Sequence, residues 1–279
     1  MGSTILDGKT LASRIREELG TRVGKMTTAG KKAPVLATIL VGSDPSSATY
    51  VKMKGKACES IGMGSRRIEL GESTTTEELL KTIDDLNADG DVHGILLQHP
   101  VPAQIDERAA FDRILPEKDV DGVTSCGFGR VSFGMPSYPS CTPAGIMRLL
   151  DEYEIPLSGK RAVVVGRSPI LGRPMAMLLL NRDCTVTICH SRTKDLAAHL
   201  READIVVAAV GRPEFIRGED LKQGVVVIDA GYNPGNVGDV HYESCAAKSS
   251  YITPVPGGVG PMTIAMLLSH TVDSAESRD

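Results

Sequence analysis

Four short runs in the second half of the chain are almost free of polar residues: "AVVVG" (162–166), "TVTIC" (185–189), "DIVVAAVG" (204–211) and "GVVVIDAG" (224–231). A strand with one wet face alternates apolar and polar residues. A near-continuous β-branched run predicts a strand covered on both faces, which is the habit of parallel sheets in α/β proteins. A fifth run, "SYITPVPGGVG" (250–260), completes the series. This texture constrains the fold more than any other feature.

The first half repeats the alternation of helix-like and strand-like segments. "GKTLASRIREELGTRVGKM" (8–26) spaces its apolar residues as a helix does, and "APVLATILVG" (33–42) is a β-rich run ended by glycine. "DPSSATYVKMKGKACESIG" (44–62) opens on an Asp-Pro-Ser helix start and stops at Gly62. "SRRIEL" is a short strand, "STTTEELLKTIDDLNAD" a capped amphipathic helix, and "VHGILLQHPVP" a strand running into a proline-rich loop. Residues 115–140 are rich in Gly, Pro and Ser and read as a loop or crossing region. "TPAGIMRLLDEYEIP" (142–156) is a helix, "MTIAMLLSHTV" (262–272) a final amphipathic one, and "DSAESRD" a frayed tail. The expected fold class is therefore α/β: two α/β lobes around a cleft, the second a Rossmann-like parallel-sheet domain.

Composition removes several classes of function. The 279 residues carry a net charge of −4, which argues against nucleic acid or an anionic membrane as the main partner. Aromatics make up 4% with no Trp, so no base-stacking platform is evident. The six cysteines are scattered without CxxC or CxxH spacing, which predicts reduced structural thiols and no zinc site. Neither a signal peptide nor an apolar run of membrane-spanning length is present, so the expected location is cytoplasmic.

The turn "GRSPILGRP" (166–174) follows a strand and opens a helix, the context in which a pyrophosphate rests on a helix N-terminus. It is not a standard GxGxxG, since Ser168 takes the second glycine's place and Gly172 comes one position late. An ordinary tight turn is the competing reading. The next strand ends in His190, Ser191 and Arg192, where an NAD site would want an acid. With Arg167 in the first turn, these groups suit a 2′-phosphate and point to NADP.

Three lysines stand at alternate positions in "YVKMKGK" (50–56). On a helix at about 100° per residue, Lys52, Lys56 and Glu59 share a solvated face, whereas Lys54 falls about 40° from Tyr50. That direction lies within the apolar arc of Val51, Met53, Ala57, Cys58 and Ile61. Lys54 either snorkels to water or faces a cleft, where desolvation would favour a neutral amine able to act as a general base or acid.

The motifs "VGSDPSSATYVKMKGKACESIG", "GILLQHPVP", "PEKDVDGV", "SCTPAGIMRLL", "VVVGRSPILGRPMAMLLLN", "TVTICHSRT", "VIDAGYN" and "ITPVPGGVGPMTIAMLL" stand in this order along nearly the whole chain. Together they resemble the bifunctional methylenetetrahydrofolate dehydrogenase/cyclohydrolase (FolD) family. The resemblance implies oxidation of 5,10-methylenetetrahydrofolate with NADP+, then hydrolysis of the 5,10-methenyl product to 10-formyltetrahydrofolate. It implies Lys54 as the catalytic lysine, with Tyr50, Gln98 and Asp121 as the catalytic and folate-binding partners. Pro256, Gly257 and Gly258 would border the folate. Gly166, Arg167, Ser168, Ser191, Arg192 and Tyr232 would hold the cofactor, and the protein would be a homodimer through the NADP lobe. Residues 1–140 would form the folate-binding catalytic domain, with the last helix (262–279) packed back on it, and 141–261 the NADP-binding domain. Three positions depart from the family pattern: His99 where leucine is usual, Ser140 where proline is common, and Tyr232 where isoleucine is common. A dehydrogenase lacking the hydrolytic step would be expected to have lost Lys54 or Gln98, and a silent NADP-binding scaffold its folate side.

Overall fold

The computed structural model describes residues 2–278. In chain order the elements are β1 (Thr4–Ile5), α1 (Gly8–Thr28), β2 (Val35–Val41), α2 (Pro45–Ser60), β3 (Gly64–Leu70), α3 (Thr76–Ala88), β4 (Gly94–Leu97), α4 (Glu107–Arg113), α5 (Ser125–Ser132) and α6 (Cys141–Glu152). They continue with β5 (Arg161–Val165), α7 (Gly172–Leu180), β6 (Thr185–Cys189), α8 (Leu196–Glu202), β7 (Ile205–Ala208), β8 (Val225–Asp229), α9 (Tyr242–Ala246), β9 (Ser249–Ile252) and α10 (Val259–Glu276). The chain divides into two compact units. One comprises residues 13–130, 135–141 and 264–279, the other residues 1–12, 131–134 and 142–263.

The first of these is built on a three-stranded parallel sheet in the order β3-β2-β4. β2 is central, and from Leu36 to Val41 every residue is buried, as its unbroken apolar run requires. Helix α2 starts where the sequence says it should. Asp44 accepts a hydrogen bond from Ser47 N at 2.7 Å, and Pro45 supplies a pre-set first helical φ. Gly62, at φ +81°, ends it. Helix α3 carries a reciprocal capping box between Thr75 and Glu78 and buries Leu79, Ile83 and Leu86.

The other unit holds a six-stranded sheet in the order β1-β9-β8-β7-β5-β6, parallel throughout. The four apolar runs are β5, β6, β7 and β8, and β5, β7 and β8 are buried nearly end to end. One core lies on the side of Ile146, Leu150, Met175, Leu179, Val164, Val207 and Ile228. A second, containing Val163, Val206, Val227, Leu200 and Cys245, fills the opposite face. The chain winds outward from β5 in both directions, so the switch point lies between β5 and β7.

Several local expectations are corrected. The 115–140 stretch is not all loop, because it contains α5, whose start is capped by the Thr124 hydroxyl accepting from Gly127 N at 2.9 Å. Two glycines within "SCGFGRVS" hide the helix from periodicity. The tail is not frayed through its described part: α10 runs to Glu276, and Arg278 donates to the carbonyls of Val92 and Glu117 at 3.0 Å each. Residues 1–12 group with the six-stranded sheet rather than with the segment that follows them, since Thr4 and Ile5 pair with Tyr251 and Ile252. The short helix α4, begun by Asp106, had no counterpart in the sequence reading.

Candidate active site

Lys54 lies on α2, one turn after Tyr50, and is half-buried, while Lys52 and Lys56 are exposed. The wheel thus separates the lysines correctly. It misplaces Met53, which is 48% exposed, because the buried face is narrower than the apolar arc. Lys54 Nζ donates to Gln98 Oε1 at 3.1 Å. Gln98 follows β4 directly, its N–H continuing the ladder to Ile39 O at 2.9 Å, so the sheet fixes its backbone. Its side-chain Nε2 donates to His99 O at 2.9 Å, which leaves Oε1 as the atom facing the lysine. Tyr50 is 45% exposed on the same helix. The ring of His99 meets Phe111 edge-on at 6.2 Å.

Asp121 sits half-buried in a turn whose backbone is held on all sides. Val120 O accepts from His270 Nδ1 at 2.9 Å and from Cys141 Sγ at 3.2 Å. Asp121 O accepts from Cys141 N at 3.2 Å, and Gly122 O from the Ser140 hydroxyl at 2.6 Å. Gly122 has φ +68°, and a Cβ there would run into Pro139 and Ser140. Burial pushes the Cys141 thiol well above its ordinary value, and the neighbouring Asp121 carboxylate adds to this while Lys54 opposes it. Lys54 and Asp121 therefore both act on one buried thiol.

Two charged residues beside Asp121 escaped the sequence reading. Lys118 is 3% exposed and donates to the carbonyls of Leu86, Asn87 and Asp89 at 2.7–2.8 Å, capping the carboxyl end of α3. Burial lowers its pKa. Asp119 is buried and accepts from Val123 N and Thr124 N at 3.0 Å each; burial raises its pKa against those donors. The available signal was "KDVD" itself, since charges beside a buried valine in a short turn require partners.

In the other unit, the loops after β5, β6, β7 and β8 lie at the carboxyl ends of the strands, where ligands bind in doubly wound sheets. Gly166 has φ +131°, and a Cβ on it would overlap the Ala209 carbonyl oxygen; one on Gly172 would overlap Gly166 O. The turn can therefore be made only of glycine at these two places, and it brings bare backbone to the start of α7. The Ser168 hydroxyl accepts from Leu171 N and Gly172 N at 3.2 Å each. Arg167, Ser191 and Arg192 are exposed. His190 Nδ1 accepts from Arg192 N at 3.1 Å and so serves the turn. Tyr232 is 62% exposed, and its hydroxyl donates to Asn236 Oδ1 at 2.6 Å. Pro256, Gly257 and Gly258 form the turn into α10, with Lys9 N donating to Gly257 O at 2.9 Å. They belong to this unit, whereas Tyr50, Lys54, Gln98 and Asp121 belong to the other.

A glycine cradle at the switch point of a parallel sheet, with cations at the tip of the next strand, defines a dinucleotide-binding α/β protein, and the residues present fit NADP. The comparisons narrow the class. Residues 6–121 match the catalytic domain of tetrahydrofolate dehydrogenase/cyclohydrolase, and residues 140–279 match its NAD(P)-binding domain. The bifunctional protein FolD of Shouchella clausii is 61% identical over 272 residues, 98% of this chain and 97% of that protein. The crystal structure of the FolD methylenetetrahydrofolate dehydrogenase/cyclohydrolase from Campylobacter jejuni has a TM-score of 0.97 at 48% identity, covering 99% of this chain and all of that one. The Trypanosoma brucei enzyme, complexed with NADP cofactor and inhibitor, has a TM-score of 0.95 at 37% identity, covering 100% and 99%. The chain belongs to the tetrahydrofolate dehydrogenase/cyclohydrolase (FolD) family.

Proposed function

We propose that this protein oxidises 5,10-methylenetetrahydrofolate to the 5,10-methenyl compound with NADP+, then hydrolyses that product to 10-formyltetrahydrofolate, with Lys54 as the group that manages protons. The observation that carries this assignment is the 3.1 Å hydrogen bond from Lys54 Nζ to Gln98 Oε1. A neutral acceptor orients the amine without placing a counter-charge beside it.

NADP+, when bound, supplies the two-electron acceptor for the first step. The chain's part in that step is to bind and orient. Gly166, Arg167 and Ser168 receive the pyrophosphate side, Ser191 and Arg192 the 2′-phosphate, and Tyr232 the nicotinamide side. Asp121 accepts hydrogen bonds from the aminopyrimidinone edge of the folate, a task that suits a carboxylate on a backbone held by Ser140, Cys141 and His270. Tyr50, one turn before Lys54 on α2, borders the same substrate.

In the second step the methenyl carbon shares a cation between two nitrogens and is already electrophilic. Water adds to it, forming a C–O bond, while Lys54 takes the proton that water gives up. The bond to N5 then breaks and N5 receives a proton, leaving the formyl group on N10; one proton is released overall. Gln98 holds the amine in place and Asp121 holds the ring. We read the protein as a cytoplasmic homodimer, which sedimentation at twice the chain mass would support.

The test is an absorbance assay with methylenetetrahydrofolate and NADP+. NADPH is expected to appear, followed by decay of the methenyl band faster than in buffer. Absence of NADPH overturns the assignment. Lys54→Met is expected to lose the hydrolytic decay and keep NADP+ binding; a variant that hydrolyses methenyl at the parental rate removes Lys54 from the role.

A further inference from the structure

Two carboxylates lie buried at the carboxyl edge of the six-stranded sheet, and the mechanism above does not use either. Asp239 is 0% exposed and Asp229, the last residue of β8, is 2% exposed. Among the described residues, neither meets a basic side chain in a hydrogen bond. Both are filled by backbone amides instead, with one side-chain amide added at Asp239. Asp239 Oδ2 accepts from Val210 N at 2.7 Å and Gly211 N at 2.9 Å, and its Oδ1 accepts from Arg212 N at 2.9 Å and Asn233 Nδ2 at 3.1 Å. Asp229 Oδ1 accepts from Gly231 N and Asp239 N at 2.9 Å each, and its Oδ2 from Val240 N at 3.0 Å.

Three consecutive N–H groups converging on one oxygen pair make an anion nest. Here the anion is the protein's own. The arrangement leaves no slack: a Cβ on Gly231 would overlap the Asp239 carboxylate, and one on Gly238 would overlap that of Asp229. The residues so gathered are those that follow β7 (210–212) and those that flank Tyr232, namely Gly231 and Asn233. These two loops leave adjacent strands on the far side of the switch point from β6. In a doubly wound sheet that is the nicotinamide half of a bound dinucleotide.

We propose that Asp239, supported by Asp229, is the positioning residue for the nicotinamide half of the cofactor. It acts through the 210–212 turn and the backbone around Tyr232 and touches no reactant itself. Charge-assisted bonds to four donors make it a stiff tie at the strand-proximal end of two loops that are joined further out by the bridge between Ile216 and Val240. The proposal rests on the assignment of NADP-dependent activity above.

The dehydrogenase step needs this half of the cofactor and the hydrolytic step does not, so the two activities separate a positioning role from a structural one. Asp239→Asn keeps the shape but turns an N–H₂ toward backbone donors. The expected result is an NADP+ KM raised tenfold or more, or kcat lowered by as much, with methenyl hydrolysis within twofold of the parent. Asn233→Ala, which removes one tie and leaves the backbone nest intact, is expected to move the same constant in the same direction by a few-fold; it decides the matter if Asp239→Asn does not fold. Unchanged NADP+ kinetics in both variants, or an equal loss of both activities together with a lowered melting temperature, overturns the proposal. Calorimetric titration with NADP+ keeps the two readings apart. Should the parent bind NADP+ without forming NADPH, the assigned reaction fails, while a tenfold weaker affinity in Asp239→Asn still upholds the positioning role.

Discussion

The side-chain amide of Gln98 is oriented by its own neighbour: Nε2 donates to the His99 carbonyl at 2.9 Å, and Oε1 is thereby turned to Lys54 Nζ at 3.1 Å. A glutamate at this position would keep the shape and add a negative charge. That charge replaces a neutral hydrogen bond with an ion pair that holds the lysine to its partner. Gln98→Glu is therefore expected to slow methenyl hydrolysis by about tenfold or more. Stopped-flow decay of the methenyl band measures this, and a parental rate would show that the amide does not govern the lysine.

Lys118 gives its three protons to the carbonyls of Leu86 and Asn87, at the end of α3, and of Asp89, just beyond it. Replacement by methionine takes this donor from the Leu86 and Asn87 carbonyls and leaves that of Asp89 with Val92 N alone at 3.2 Å, a loss of about 3 kcal/mol. Urea unfolding of Lys118→Met should show it as a lower midpoint. Asp121 is three residues away, so the KM for the folate should rise as well.

Burial raises the Asp229 carboxyl to about 6, with the adjacent Asp239 contributing, against three N–H donors that oppose the shift. The folded state then holds a proton that the unfolded chain releases near 3.8. The stability this group contributes is present below about pH 4 and is lost as pH rises through 6, about 3 kcal/mol in all. The stability difference between the parent and Asp229→Asn should shrink across that window and stay level above it. Urea titrations at four or five pH values test this, and a difference that stays constant across the window contradicts it.

Ser191 and Arg192 stand exposed at the tip of β6 without an acid beside them. Arg192→Ala should lower the ratio of kcat/KM for NADP+ over NAD+ by about tenfold, corresponding to about 1.4 kcal/mol for one charge-assisted contact to a 2′-phosphate. Equal kinetics with both cofactors before and after the change would remove Arg192 from that role.

Much of the architecture is legible in the sequence because the strands of a two-sided parallel sheet have no polar positions to spare. β5, β7 and β8 announce themselves by composition alone. Helix α2 declares its start through Asp44 and Pro45, and α3 through Thr75 and Glu78. Helix α5 does not, because two glycines interrupt its pattern, and Gly127 is set by what surrounds it: a Cβ there would press on Asp119 and Thr124 at 3.0 Å. Lys54 could be separated from its neighbours by angle, but its bond to Gln98 joins residues 44 positions apart and has no local signature. The same holds for Lys118, Asp229 and Asp239, whose partners, apart from Asn233 Nδ2 on Asp239, are backbone groups, and backbone leaves no trace in a sequence.

The pairing of Thr4–Ile5 with Tyr251–Ile252 has a consequence for synthesis. The strand at one edge of the six-stranded sheet leaves the ribosome well before its partner, since Thr4 pairs with Tyr251. At about 5–20 residues per second the early strand waits on the order of ten seconds to a minute for β9. During that wait α1 from Ser13 onward can already join the unit built on the three-stranded sheet. The nascent chain therefore closes like a clasp, β1 fastened only when β9 arrives, and a separately expressed fragment beginning at residue 141 would lack that fastening.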